Sequence, residues 1–155
     1  MAAKLASDIE RRERAETTLQ KLSSRFEVLV QSSEDAIVGK DLAGTITSWN
    51  PAAKKMFGYS ADEVIGRNIS LIYPPECMEK EKKLLQRIQH GELVHNYESE
   101  RLRKDGNRIV TSITISPIRD ETGEIIGASK IARDITEKKR QEIELAHIYR
   151  LLQDN

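Results

Sequence analysis

Hydrophobic and polar positions divide this chain into three regimes. Residues 5–30 contain neither Gly nor Pro, and Ile9, Leu19, Leu22, Phe26 and Leu29 recur on a narrow stripe interrupted by Arg12 and Glu16. Residues 135–152 repeat the pattern, with Leu145, Tyr149 and Leu152 on one face and Glu142 intruding. Stripes this thin on charged helices suit the seam of a two-stranded coiled coil better than the broad face a core requires. They predict a homodimer held at both ends through these residues, with its helices parallel. Solvated helices folded back on their own domain are the alternative.

Between the two helices the period shortens to two, lengthens, and shortens again. Strands are predicted over 36–40 and 45–49, joined by the turn Asp41-Leu-Ala-Gly44. Asn50 offers a cap and Pro51 a first turn for a short helix that Gly58 ends. Ser60-Ala-Asp-Glu63 has the capping-box pattern of a second short helix, stopping at Gly66. A longer helix over 76–90 would present Met78, Leu84, Leu85 and Ile88. Three strands follow over 94–103, 108–118 and 125–133, separated by Asp105-Gly106 and Gly123. In the second, Ile109, Thr111, Ile113 and Ile115 alternate with Val110, Ser112, Thr114 and Ser116. The first carries Glu98, Glu100, Arg101 and Arg103, so both its faces read as polar and it suits a sheet edge. Gly127, Ala128 and Ala132 mark close packing in the third. The order predicts an α+β fold, a five-stranded antiparallel sheet with helices gathered on one face.

Charge refines the organisation. The chain has 155 residues, with 25 Lys+Arg against 25 Asp+Glu. A formal net charge of zero argues against nucleic acid or an anionic membrane as partners. Residues 4–27 and 137–150 hold 11 and 7 of the charges, which suggests an N-terminal helix at 1–24, a domain at 25–136 and a linker helix at 137–155. One cysteine makes no internal disulfide, and no apolar run is long enough to span a bilayer or serve as a signal peptide. A cytoplasmic location is the expectation. His90, His95, His147 and Cys77 lack zinc-ligand spacing, so no metal is expected. No nucleophile elbow or phosphate loop is present. Cys77 and His90 would stand about 20 Å apart on a continuous helix, and no catalytic residue is assigned.

The run from Ser48-Trp-Asn-Pro51 through Met56-Phe-Gly-Tyr-Ser60 to Gly66-Arg-Asn68 resembles the signature of the PAS sensor family. Lys104-Asp-Gly106, Ser116-Pro-Ile118 and Asp134-Ile-Thr-Glu137 fall where that family places them, so the likeness covers roughly residues 25–137. It implies strand order 2-1-5-4-3 and a cavity between sheet and helices. It also implies a sensory module that passes its state to an attached effector. The opening Ser7-Asp-Ile-Glu-Arg-Arg-Glu-Arg-Ala-Glu16 resembles the tail that follows a preceding PAS domain.

Light-sensing LOV members carry a cysteine directly after Gly-x-Asn; Ile69 stands there, which excludes the covalent flavin bond. Haem-binding members supply a histidine from the long helix, and here none precedes His90, which speaks against haem. A non-covalent flavin or a small organic ligand remain as candidate occupants, beside a filled interior. The predicted cavity lining is Ile37, Trp49, Asn50, Met56, Ile69, Ile72, Leu85, Ile88, Ile113, Ile115 and Ile131, residues that also serve as core. Trp49 and Asn50 each add a polar handle, and Asn50 doubles as the helix cap.

Signal relay is expected at Asp134, Ile135, Thr136 and Glu137, with Asp134 and Glu137 spaced as a capping box. The resemblance implies an effector beyond the outgoing helix: a sensor histidine kinase first, a diguanylate cyclase otherwise. A ligand-free dimerisation spacer is the reading from a different class. His147 is not read as a phosphoacceptor, because Ala146-His-Ile-Tyr-Arg150 lacks the acidic residue that follows the histidine in the common phosphoacceptor box.

Overall fold

The computed structural model describes residues 2–154 and divides between Ser33 and Glu34 into two units. The first is helix α1, Ala2–Ser32, which continues unbroken through residue 24 and buries none of its residues. Leu5, Ile9, Leu19, Leu22, Phe26 and Leu29 are all exposed on it.

The second unit holds the sheet. Strands β1 (Ala36–Asp41), β2 (Ile46–Trp49), β3 (Val94–Leu102), β4 (Arg108–Arg119) and β5 (Ile125–Asp134) are antiparallel in the order β2-β1-β5-β4-β3. The order implied by the resemblance is therefore the order observed. Chain-distant β1 and β5 meet at the centre, where Ala36 faces Ala132 and Asp41 faces Gly127. Gly127 is required: a Cβ there would stand 2.2 Å from the Lys40 carbonyl oxygen.

Helices α2 (Pro51–Phe57), α3 (Ala61–Val64) and α4 (Met78–Gln89) lie between β2 and β3 in sequence, with 3-10 turns at Ile69–Ile72 and Pro75–Cys77. Their boundaries follow from side-chain chemistry. Asn50 Oδ1 accepts from the Ala53 N–H at 3.0 Å, Pro51 needs no donor, and Gly58 ends the helix at φ 83°. The capping box at Ser60 and Glu63 forms. The long helix begins later than the sequence suggests, because the segment after Pro74-Pro75 is 3-10 before it becomes α4.

The core lies on the sheet face bearing Ile109, Thr111, Ile113 and Ile115, with Phe57, Val64, Ile69, Ile72, Leu84 and Ile88 packed over it. Helix α5 (Thr136–Gln153) leaves the end of β5 and buries none of its residues, so Leu145, Tyr149 and Leu152 are exposed. Its first turns are nonetheless tied to the sheet, since Lys139 pairs with Glu98 of β3 at 2.8 Å.

Candidate sensory site

Four ionisable side chains project from the secondary structure into the space between sheet and α4. Lys40 shares its face of β1 with Ala36 and Val38, and Lys130 shares its face of β5 with Ala128 and Ala132. Arg101 sits on the inward side of β3 opposite Ile109, and Glu81 is in phase with Leu84 and Ile88 on α4. Arg101 is 1 % exposed, Lys130 5 %, and Lys40 and Glu81 6 % each.

Glu81 organises the group. One carboxylate oxygen accepts from Arg101 Nη2 and the other from Lys130 Nζ at 3.2 Å. Arg101 Nη1 donates to Ser99 Oγ at 2.7 Å and to the Glu100 carbonyl at 2.9 Å. Its guanidinium lies 4.6 Å from the centre of the Tyr73 ring, and Lys130 Nζ approaches the same ring at 4.8 Å while bonding the Tyr73 hydroxyl. Thr111 Oγ1 donates to the Ser99 carbonyl at 2.9 Å and closes the network toward β4.

Arg101 and Lys130 thus share one carboxylate, with Lys40 beside them. Burial pushes the Lys130 ammonium well below the usual lysine range, and the neighbouring Lys40 charge pushes it further. Lys40 is lowered by burial too, against the pull of Glu81. Burial pushes Glu81 up, but Lys130 and Arg101 outweigh it, so the carboxyl stays below its ordinary value and ionised. Burial, then the Glu81 charge, raises the Tyr73 phenol. The two lysines relieve the excess of positive charge by giving up protons more readily.

A cavity of about 10 Å³ lies against this cluster, lined by Lys40, Glu81, Leu84, Leu85, Ile88, Ile115, Ala128 and Lys130. Such a volume is about that of one water. Of the lining expected from the sequence, Leu85, Ile88 and Ile115 reach it. Trp49, Ile69, Ile72 and Ile113 belong to the surrounding core, and Met56 packs against its edge.

Ile131 and Ile37 must be corrected. Ile131 is 43 % exposed, because strand alternation sends Lys130 and Ala132 inward and Ile131 to the opposite face. Ile37 is its direct cross-strand partner and lies on that same outer face. The polar handles of Trp49 and Asn50 are already engaged. Trp49 Nε1 donates to the Tyr59 carbonyl at 2.9 Å. Asn50 Oδ1 also accepts from Ile37 N–H at 2.9 Å, and its amide donates to the Asp35 carbonyl at 3.0 Å. Cys77 is buried beside Ser99 of β3.

At the sheet's exit the expected capping box is replaced by a tighter device. Asp134 Oδ1 accepts from the Thr136 N–H at 2.9 Å and from the Thr136 hydroxyl at 2.6 Å. Thr136 Oγ1 in turn accepts from the Val110 N–H at 2.9 Å, while the Ile135 N–H donates to the Val110 carbonyl at 2.8 Å. Glu137 points away and pairs with Arg140. An Asx turn with a threonine stitch to β4 therefore takes the place of a reciprocal Asp134–Glu137 box.

Residues 34–137 match the PAS domain family. The chain belongs to it. PAS domains are generally non-catalytic sensory modules, and this one is a sensory domain whose relatives include histidine kinases and two-component proteins. It is 33 % identical over 125 residues to Two-component system protein A of Emericella nidulans, covering 78 % of this chain and 18 % of that protein. It is 28 % identical over 125 residues to the signal transduction histidine-protein kinase AtoS of Escherichia coli, covering 81 % and 20 % respectively. The chain thus spans about a fifth of the length of these relatives. Among solved structures, the PAS domain of a protein from Colwellia psychrerythraea superposes with a TM-score of 0.70 at 27 % identity, over 75 % of this chain and 98 % of that one. Among the described residues, no helix is long and apolar enough to cross a membrane.

Proposed function

We propose that this PAS domain is the sensory and dimerisation module of a larger signal-transduction protein, a sensor histidine kinase foremost. It passes the state of its sheet through Asp134, Ile135, Thr136 and Glu137 to a coiled-coil output helix. The kinase relatives support the effector class. The relay rests above all on the Thr136 stitch, because one side chain bonds both the last strand and β4 at the residue where α5 begins. A change in the β4–β5 pairing that moves Val110 must move the first turn of α5 with it. The dimer rests on the exposed apolar stripes of α1 and α5, Ile9, Leu19, Leu22, Phe26 and Leu29 on one helix and Leu145, Tyr149 and Leu152 on the other. The proposal places the module in the cytoplasm, where the ATP that a kinase consumes is found.

The test is autophosphorylation of the full-length kinase carrying Asp134→Ala or Thr136→Val. We expect the ratio of stimulated to basal activity to collapse toward one while the protein remains a dimer. Unaltered regulation in both variants would overturn the relay. The second reading, a ligand-free spacer, is favoured by the small size of the interior cavity. It predicts that no small solute changes the domain's spectrum or stability.

A further inference from the structure

We propose that the interior cavity between Lys40, Lys130 and Glu81 is a binding site for a small anion, chloride or the carboxylate head of a short organic acid, and that this anion is what the module senses. The inference rests on the sensory reading above and names the ligand class of that site.

The reasoning begins with charge. Arg101, Lys40 and Lys130 converge on the single carboxylate of Glu81, and all four are nine-tenths or more buried. Glu81 spends one oxygen on Arg101 and the other on Lys130. Asp41, next along β1, turns its carboxylate to the Ala43 and Thr45 N–H groups. Lys40 therefore has no salt-bridge partner of its own among the described residues; it lies within hydrogen-bonding reach of Lys130, and its side chain lines the cavity. A buried ammonium in that position either loses its proton or acquires an anion.

The cavity is shaped for the second course. Its polar side is Lys40, Lys130 and Glu81; Leu84, Leu85, Ile88, Ile115 and Ala128 close the rest. At about 10 Å³ it holds one water-sized particle. Outward movement of Leu85, which is only half buried, would widen it to accept a carboxylate. An anion bridging Lys40 and Lys130 would give the cluster two negative charges against three positive ones and leave Glu81 on Arg101. The fit to the relay is direct: Lys130 lies on β5 opposite Ile115 of β4, on the strand that ends at Asp134.

Uptake of an anion favours the charged form of both lysines, so binding draws in protons and weakens as pH rises. The ionisable groups facing the site are Lys40 from β1, Glu81 from α4, Arg101 from β3, Lys130 from β5 and Tyr73 from the segment before α4. Lys130 and Arg101 hold the Glu81 carboxyl ionised, and the two depressed lysines are the groups that titrate with the ligand.

The experiment is carbon-13 NMR of the lysine Cε positions in the whole chain at pH 7.5. The sample is titrated separately with sodium chloride, sodium formate and sodium acetate, with ionic strength held constant by the sodium salt of a bulky sulfonate, 2-morpholinoethanesulfonate. Lys40 and Lys130 are assigned by the signals lost in Lys40→Met and Lys130→Met. We expect both resonances to move saturably, and Lys40→Met to weaken the response of Lys130 at least tenfold. Saturation by chloride alone identifies a halide site; tighter response to formate and acetate identifies a carboxylate site. If none of the three salts produces a saturable shift, the proposal is overturned. Wild-type affinity in Lys40→Met overturns it equally, and should that variant fail to fold, the Lys40 resonance in Lys130→Met gives the same reading. Sedimentation of the same samples separates the two layers of the account. A dimer that takes up no anion removes the ligand and leaves the assembly, whereas a monomer that binds anion does the reverse.

Discussion

Replacing Glu81 by Gln keeps the shape of the side chain and removes the negative charge that pairs with Arg101 and Lys130. Arg101 is then left 1 % exposed with a neutral partner, and the two lysines lose the charge that favours them. Breaking a buried ion pair from one side costs about 3–5 kcal/mol. Gln can still accept one hydrogen bond from Arg101, so the lower end applies, about 3 kcal/mol. At about 3 °C per kcal/mol for a domain of this size, the melting temperature should fall by roughly 9 °C. Lys130→Met removes a cation that burial already disfavours and should change stability by no more than about 1 kcal/mol at pH 7. The double variant Glu81→Met with Arg101→Met replaces the pair by apolar volume and should regain most of what Glu81→Gln loses. Urea unfolding followed by circular dichroism reads all three. Equal losses for Glu81→Gln and Lys130→Met would refute the view that one carboxylate holds the cluster together.

The depressed lysines set a pH dependence. Between their lowered folded values and the ordinary value near 10.4, the unfolded chain binds protons the folded chain does not, so stability rises with pH across that window. The raised Tyr73 phenol opposes this only above about pH 10. The urea midpoint should therefore climb as pH rises toward 9.5, and the Lys40→Met, Lys130→Met double variant should flatten it; a falling midpoint contradicts the assignment. Gly127→Ala drives a Cβ into the Lys40 carbonyl at the β1–β5 ladder and should cost about 2 kcal/mol or more by forcing backbone shifts, measurable as a lowered thermal midpoint. Asn50→Ala removes the α2 cap, one tie to β1 at Ile37 and one to Asp35 just before it, and should lose about 2 kcal/mol, against about nothing for exposed Lys54→Ala in the same assay.

The sheet was legible because its periods are strong: the alternation through Ile109–Ile115 and the Asp105-Gly106 turn locate β3 and β4 almost to the residue. The caps at Asn50 and Ser60 were legible for the same local reason. The site was less so. Cavity residues chosen for being apolar miss Glu81, Arg101, Lys40 and Lys130, because charged residues are ordinarily solvated. Yet each sits in phase with an apolar or small face, Glu81 with Leu84 and Ile88, Lys130 with Ala128 and Ala132, Lys40 with Ala36 and Val38. Phase rather than hydrophobicity was the informative signal, and it also separates Lys130 from Ile131. Arg101 gave the weakest signal, since β3 is polar on both sides and only its pairing with Ile109 across the hairpin turns it inward. At Asp134 the capping-box spacing was present, but Thr136 outcompeted Glu137 by offering a donor, an acceptor and a bond to β4 together.

The central claim, that the state of the sheet reaches a paired output helix, is tested most directly by electron–electron double resonance between spin labels on α5. Leu152→Cys in a Cys77→Ser background places one label per protomer on the proposed seam. A single intermolecular distance that shifts or broadens when Thr136→Val or Lys130→Met is introduced is the predicted result. No dipolar coupling, or a distance indifferent to both substitutions, would contradict the account.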